Sequence, residues 1–369
     1  MQQTSDIQIV AAAQIFDGTA LRRDHALVVR DGRILDILPR AQLDPVPPTS
    51  AALLAPGFVD VQVNGGGGVL LNDDPSERGV RHIVDTHRRL GTTSLLPTLI
   101  TDAPDKLERL ADVPLVPGAI GFHLEGPLIS SARVGIHPLQ HVRSLDARTK
   151  EALRHFGSVG ASLVTLAPET VPADMIAYLA ESGLTVSAGH TLADAKTFKQ
   201  ALDAGLTGVT HLFNAMAPLA ARAPGIAGVA FDDARVFAGI ICDGLHVDKL
   251  MLRLAYRTMG PARLMLVSDA MPSVGSTLAA FDLLGRPVEL RDGKLAAADG
   301  TLAGAHLDMA TSVRNAVALM GAPLEDALAM ATSTPARFLG LACGTLARGA
   351  AFDAVELDDA LAVRRVYVA

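Results

Sequence analysis

Only two cysteines, Cys242 and Cys343, occur in the 369 residues. One possible pair is no disulfide framework for a chain of this length, so a reducing compartment is expected. Basic residues are in deficit: 32 lysines and arginines face 39 aspartates and glutamates, a net charge of -7. Nucleic acid is held by clustered Lys and Arg that neutralise its phosphates. No nucleic-acid partner is therefore expected, and a phosphorylated small molecule would need a local pocket. No run of about 18 apolar residues is there to cross a membrane. The start, MQQTSDIQIV, lacks the basic stretch and apolar core of a signal peptide. These absences predict a cytoplasmic protein with no membrane partner. Internal repeats and low-complexity tracts are missing as well.

What the chain has is apolar surface: 49% of residues are hydrophobic and 19% charged, which excludes a disordered chain. The length exceeds what one simple core serves. A (β/α)8 barrel of roughly 250 residues with a smaller attachment fits it. Residues 7–40 alternate short apolar runs with the turn dipeptides Asp17-Gly18 and Asp31-Gly32, the pattern of a small antiparallel sheet. The last 25 or so residues repeat the style around Asp358-Asp359. The expectation is a small β-sandwich domain from both ends, residues 1–53 and 341–369, on a barrel of residues 54–340.

Between the ends, strand-like runs alternate with helix-like segments, which implies βα units and a parallel sheet. Eight runs stand out, at 53–65, 93–101, 118–127, 161–168, 184–190, 208–215, 236–246 and 263–271. Eight strands close a barrel. Helical pieces at 76–91, 172–183 and 194–205 end on glycine, as helix C-termini prefer. Residues 273–303 interrupt the rhythm and read as a hairpin over the barrel mouth. The glycine run at 65–68 offers backbone for a phosphate, but no helix pattern follows it directly, so the signal is weak.

In such barrels the active residues close the C-terminal ends of the strands. Here those residues are Gln62, Asn64, Glu125, His190, His211, His246 and Asp269. Glu125, His190 and His211 supply one carboxylate and two imidazoles, a set suited to a catalytic divalent ion such as zinc with one position left for water. Asp269, in LVSDAM, is a carboxylate able to take a proton from that water and return it to a leaving amine. His123 lies two residues before Glu125, on the same side of a strand, and reads as a supporting group. His306 reads either as a sugar contact or as an exposed side chain.

The segments APGFVDVQVNGGGGVLLND (55–73), GFHLEGPLIS (121–130), SAGHT (187–191), HLFNAM (211–216), DGLHVD (243–248) and LVSDAM (266–271) occur in that order. Together they resemble the N-acetylglucosamine-6-phosphate deacetylases of the amidohydrolase superfamily, over essentially the whole chain. The resemblance implies a TIM-like barrel and hydrolysis of the N-acetyl amide to glucosamine 6-phosphate and acetate. It implies Glu125, His190 and His211 as metal ligands and Asp269 as the acid and base. His137 corresponds to a donor toward the acetyl carbonyl or a sugar oxygen, Asn214 and Ala215 to substrate contacts, and Arg222 and His246 to phosphate contacts. A homodimer is implied too, with Arg222 acting within its own chain or across to the neighbour.

At the first strand many amidohydrolases carry His-x-His, whereas Gln62-Val63-Asn64 stands here. Carboxamides bind zinc-like ions poorly, so one divalent ion per chain is expected, zinc first, with iron, manganese and cobalt open. The fourth run ends without the lysine that dinuclear cyclic-amide hydrolases often use. Two other readings stay open: the N-acetylgalactosamine 6-phosphate epimer as substrate, and a catalytically silent sugar-phosphate-binding protein.

Overall fold

The computed structural model describes residues 7–369. The first six residues, on which the signal-peptide reading and the start of the 1–53 range partly rest, lie outside the described residues. Eight parallel strands follow one another around a barrel: Phe58–Val63, Thr92–Ile100, His123–Glu125, Leu163–Leu166, Thr185–Ala188, Gly208–Val209, Phe237–Ile241 and Leu264–Val267. Each pairs with its predecessor in sequence, the βα order that short right-handed crossovers impose. The seam between the eighth and first strands is closed differently. Asp269 N donates to Gln62 O (3.0 Å) and Gly65 N to Ala270 O (2.9 Å). Below them the Asp60 carboxylate accepts from Ser268 N at 3.3 Å.

The helices start where a side chain relieves the unpaired N–H groups of the first turn. Ser76 accepts from Gly79 N ahead of Glu77–Arg89, and Asp194 accepts from Thr197 N at 2.8 Å ahead of Ala195–Asp203. Arg88 and Arg89 occupy the last turn of the first of these, where positive charge suits the helix dipole. Its Val80, Ile83 and Val84 are buried in the large core between strands and helices. Fully burying a side chain of this kind contributes about 1.5–3 kcal/mol.

The first run, read as one strand from Leu53 to Gly65, is two. Ala51–Pro56 pairs with strands of both chain ends, and Phe58–Val63 opens the barrel. Gly57 separates them at a close approach, since a Cβ there would lie 2.1 Å from Thr93 Oγ1. The strand Ile7–Phe16 passes between two sheets. Its residues 7–11 pair antiparallel with His25–Arg30, and residues 12–15 run parallel to Ala51–Pro56. Between the sheets Ile15, Leu27, Ile34, Leu54 and Phe352 form a separate core.

The 273–303 segment is a three-stranded meander, Ala280–Leu283, Arg286–Arg291 and Lys294–Ala297, rather than a hairpin. Leu283, Val288 and Leu295 pack on Leu70, Ile100, Ile136 and Met271 at the barrel mouth. The glycine run forms a tight turn between Gly65–Gly66 and Val69–Leu70, with Gly67 and Gly68 in the left-handed region. No helix begins there until Glu77.

Candidate metal centre and substrate cavity

Three atoms meet at the barrel mouth. Glu125 Oε1 lies 2.8 Å from His211 Nε2 and 3.1 Å from His190 Nε2, and the two imidazole nitrogens are 3.1 Å apart. All three side chains are buried. His190 Nδ1 donates to the Arg133 carbonyl at 2.8 Å, which fixes the tautomer and leaves a bare lone pair on Nε2. That lone pair faces a carboxylate oxygen and another imidazole, three acceptors with a proton for at most one side. Such a donor set fits a divalent cation at its centre. In a tetrahedral shell with bonds of about 2.0–2.1 Å, ligand atoms stand about 3.3–3.4 Å apart, slightly wider than this triangle.

Glu125, His137 and His190 also offer ligand atoms within 4.8 Å of one another. The Glu125–His190–His211 triangle is the tighter grouping. The His137 ring instead leans on the His190 ring, centroids 4.3 Å apart, and its Nδ1 pairs with Thr101 Oγ1 at 3.0 Å.

The backbone aims these groups. His190 (φ 47°), His211 (φ 33°) and Asp269 (φ 50°) all sit in the left-handed region just past their strands, so the chain turns sharply while the side chain points over the barrel. Asn64 and Gln62, at the end of the first strand, donate to carboxylates. Gln62 Nε2 bridges Glu125 Oε2 (3.2 Å) and Asp269 Oδ1 (3.1 Å), and Asn64 Nδ2 donates to the same Asp269 oxygen at 2.6 Å. An amide nitrogen, not its oxygen, must face two carboxylates.

Charge follows from this layout. Burial pushes Glu125 upward, but the hydrogen bonds and charges of His190 and His211 hold its carboxyl well below the ordinary range. Burial and the Glu125 charge push Asp269 up to about 6, against the pull of His211 and His246. Burial, then the His190 charge, keeps His137 well below the usual imidazole value. His123 is pushed down to about 4 by burial. It hydrogen-bonds Thr165 Oγ1 at 2.7 Å beneath the triangle, the supporting place read from its spacing.

The triangle and Asp269 line a cavity of about 380 Å³ with His137, Asn214, Ala215 and His246. His246 Nδ1 pairs with Asp243 Oδ2 at 2.6 Å, and its Nε2 is buried without a partner. Arg222 is not among the cavity-lining residues. It is exposed on the turn joining Ala220 to Ala223. His306 is exposed and pairs with Ser273 Oγ at 3.0 Å.

Comparison with known proteins then decides the family, for the amidohydrolase family matches residues 53–368. This chain belongs to the amidohydrolase family. Among amidohydrolases it is 41% identical to the N-acetylgalactosamine-6-phosphate deacetylase of Shewanella sp., over 87% of this chain and 83% of that one. It is 38% identical to the N-acetylglucosamine-6-phosphate deacetylase of Bos taurus, over 98% and 94%. The structure of the Pasteurella multocida N-acetylglucosamine-6-phosphate deacetylase overlays with a TM-score of 0.92 at 32% identity, covering 98% of each chain. A mutant of the Mycobacterium smegmatis enzyme, solved in complex with N-acetyl-D-glucosamine-6-phosphate, overlays with a TM-score of 0.92 at 33% identity, again covering 98% of each. As an amidohydrolase the chain is a metal-dependent hydrolase.

Several groups of this amidohydrolase site escape a reading of the sequence. The Arg133 carbonyl that orients His190 is backbone and has no residue signature. Thr101 is found only through its contact with His137. Asp243 had a signal, since Asp-Gly-Leu-His places a carboxylate three residues from an imidazole across a tight turn.

Proposed function

We propose that the chain removes the acetyl group from an N-acetylhexosamine 6-phosphate, N-acetylglucosamine 6-phosphate first, releasing acetate and the amino sugar 6-phosphate. One observation carries this reading. The Glu125–His190–His211 triangle and Asp269 line the same cavity as His246, whose Nε2 is buried without a partner, and Asn214 and Ala215. Amide hydrolysis at one place and phosphate binding at another suit a phosphorylated amide.

Glu125, His190 and His211 would hold one divalent ion, zinc by the nature of the donors, with iron, manganese or cobalt as substitutes. When bound, such an ion polarises a carbonyl and acidifies water. The chain's own groups do the rest. Asp269 Oδ1 is committed to Gln62 and Asn64, so Oδ2 takes the proton of the attacking water and passes it to the departing amine. With Thr101 at Nδ1, the His137 ring presents Nε2 to the acetyl carbonyl or a neighbouring sugar oxygen. Asp243 fixes His246 so that Nε2 meets the phosphate. With Gln62 Nε2 and Asn64 Nδ2 given to carboxylates, the first strand offers a second ion only neutral carboxamide oxygens, which bind zinc-like ions poorly and support one ion per chain.

The assembly we propose is a cytoplasmic homodimer in which Arg222 reaches the partner's cavity. Its exposure near the exposed Leu219, outside the lining of its own cavity, supports this. We also take residues 1–53 and 341–369 as a small β domain and 54–340 as the barrel, a division supported by the separate core between the end sheets.

Acetate release from N-acetylglucosamine and N-acetylgalactosamine, each with and without the 6-phosphate, tests the reaction. The 41% identical relative makes the galactosamine epimer the second reading. Tight sugar-phosphate binding with no turnover by metal-loaded protein would favour the silent binding protein instead.

A further inference from the structure

One side of the cavity is largely apolar. Asn214, Ala215 and His246 follow the sixth and seventh strands, where Ile241 also lines the cavity, whereas Ile100 ends the second strand, Ile136 precedes His137, Met271 follows Asp269, and Leu283 and Leu302 come from the mouth segment. Ile100, Ile136, Met271 and Leu283 belong to one packed cluster with Leu70, Val288 and Leu295, each at most 8% exposed. Their positions are set by the packing behind them, as in any close-packed interior. Ile100 stands in register with Glu125 on the adjacent strand, so this wall flanks the metal triangle. In a 2-acylamino sugar 6-phosphate the nitrogen on C2 and the phosphate on C6 leave the ring on opposite sides. A phosphate at His246 therefore sends the acyl carbonyl over the triangle and the acyl tail onto Ile100, Ile136, Met271, Leu283 and Leu302.

We propose that this wall is an acyl pocket larger than a methyl group needs, and that the chain hydrolyses N-propionyl and N-butyryl amino-sugar phosphates as well as N-acetyl ones. The inference rests on the deacetylase reading above. An acetyl methyl reaches only part of a wall of five apolar side chains, and each further methylene finds apolar contact there. The chemistry is unchanged: the amide C–N bond breaks, water gives its oxygen to the acyl carbon and a proton to the amine nitrogen, and the longer carboxylate leaves.

The test is a series of glucosamine 6-phosphates acylated with acetyl, propionyl, butyryl and hydroxyacetyl groups. Amine release gives kcat/KM, and calorimetry on the Asp269→Asn protein gives Kd without turnover. Propionyl is expected within about fourfold of acetyl, the size of one buried methylene, and to bind Asp269→Asn at least as tightly. Hydroxyacetyl, the same size as propionyl, is expected about fivefold or more below it, because its hydroxyl meets no partner on an apolar wall.

Leu283→Phe is expected to lower propionyl and butyryl about tenfold relative to acetyl, and Leu283→Ala to shift preference toward butyryl. Should Leu283→Phe fail to fold, Leu302→Phe at the rim of the cavity makes the same cut. Acetyl turnover with propionyl lowered about 100-fold overturns the acyl pocket alone. So do Leu283 or Leu302 variants that change all acyl lengths alike. No turnover of any member overturns the deacetylase reading together with it.

Discussion

Asp269 accepts two amide donors on a single oxygen, Gln62 Nε2 and Asn64 Nδ2, so one carboxylate oxygen is held and the other is the one that the proposed mechanism uses for proton exchange. Asp269→Asn keeps the shape and removes the proton acceptor. The variant is expected to retain its metal, measured by elemental analysis, and to lose about 100-fold to 10,000-fold in kcat. Near-normal turnover would make Asp269 structural. Much of this grouping was legible at this scale because barrels place chemistry at strand ends: Glu125, His190, His211 and Asp269 were named from the runs they close, and the fold brings them into one cavity. The Arg133 carbonyl and Thr101 were not, since neither carries a pattern in the chain. Arg222 was named from the family resemblance, but its exposure outside the lining of its own cavity became visible only with the fold.

At the scale of elements, the strand ends work because their neighbours are small. Gly189 precedes His190, and a Cβ there would sit 2.6 Å from Thr165 Cγ2, which itself belongs to the hydroxyl chain through Thr210. Gly189→Ala must push the fifth strand outward or tilt it. Metal affinity is expected to fall by about 10-fold or more, a loss typical when groups supporting a ligand are disturbed, and a metal titration of the apo protein measures it. The barrel seam offers a second test. Burial pushes the Asp60 carboxyl up to about 7. A raised carboxyl contributes stability that is complete below its unfolded value of about 4 and is lost as pH rises through its folded value. Metal-free protein should therefore lose stability from pH 4 to 8 more steeply than Asp60→Asn, as read by thermal unfolding across that range. A parallel slope in both proteins would show that Asp60 does not titrate there. The eight-strand order was readable from alternating runs, whereas the break at Gly57 was not, because apolar residues stand on both sides of it, Leu53–Ala55 before and Phe58–Val59 after.

For the whole molecule, the decisive question is whether two chains share a cavity. If Arg222 crosses between protomers, Arg222→Ala and Asp269→Asn proteins, each weak alone, should complement when unfolded and refolded together. In a two-fold dimer each mixed pair holds one cavity with both residues intact, so activity is expected to recover to about a quarter of the native value. Absence of recovery, with mixed dimers shown by mass, would put Arg222 in its own cavity. Composition called for a local pocket for any phosphate, since a net charge of -7 offers no general attraction. It was silent on assembly, because exposed leucines such as Leu219 and Leu250 look in sequence like any others. The left-handed backbone at His190, His211 and Asp269 bears on the history of such chains. A side chain held in that conformation costs about 1–3 kcal/mol, toward the low end for His and Asp, which tolerate it better than most. The fold alone would be better served by glycine or asparagine at all three. A lineage that lost its substrate and was kept only for staying folded should shed these residues first, leaving a sturdier barrel in which melting temperature of the metal-free chain rises as the chemistry disappears.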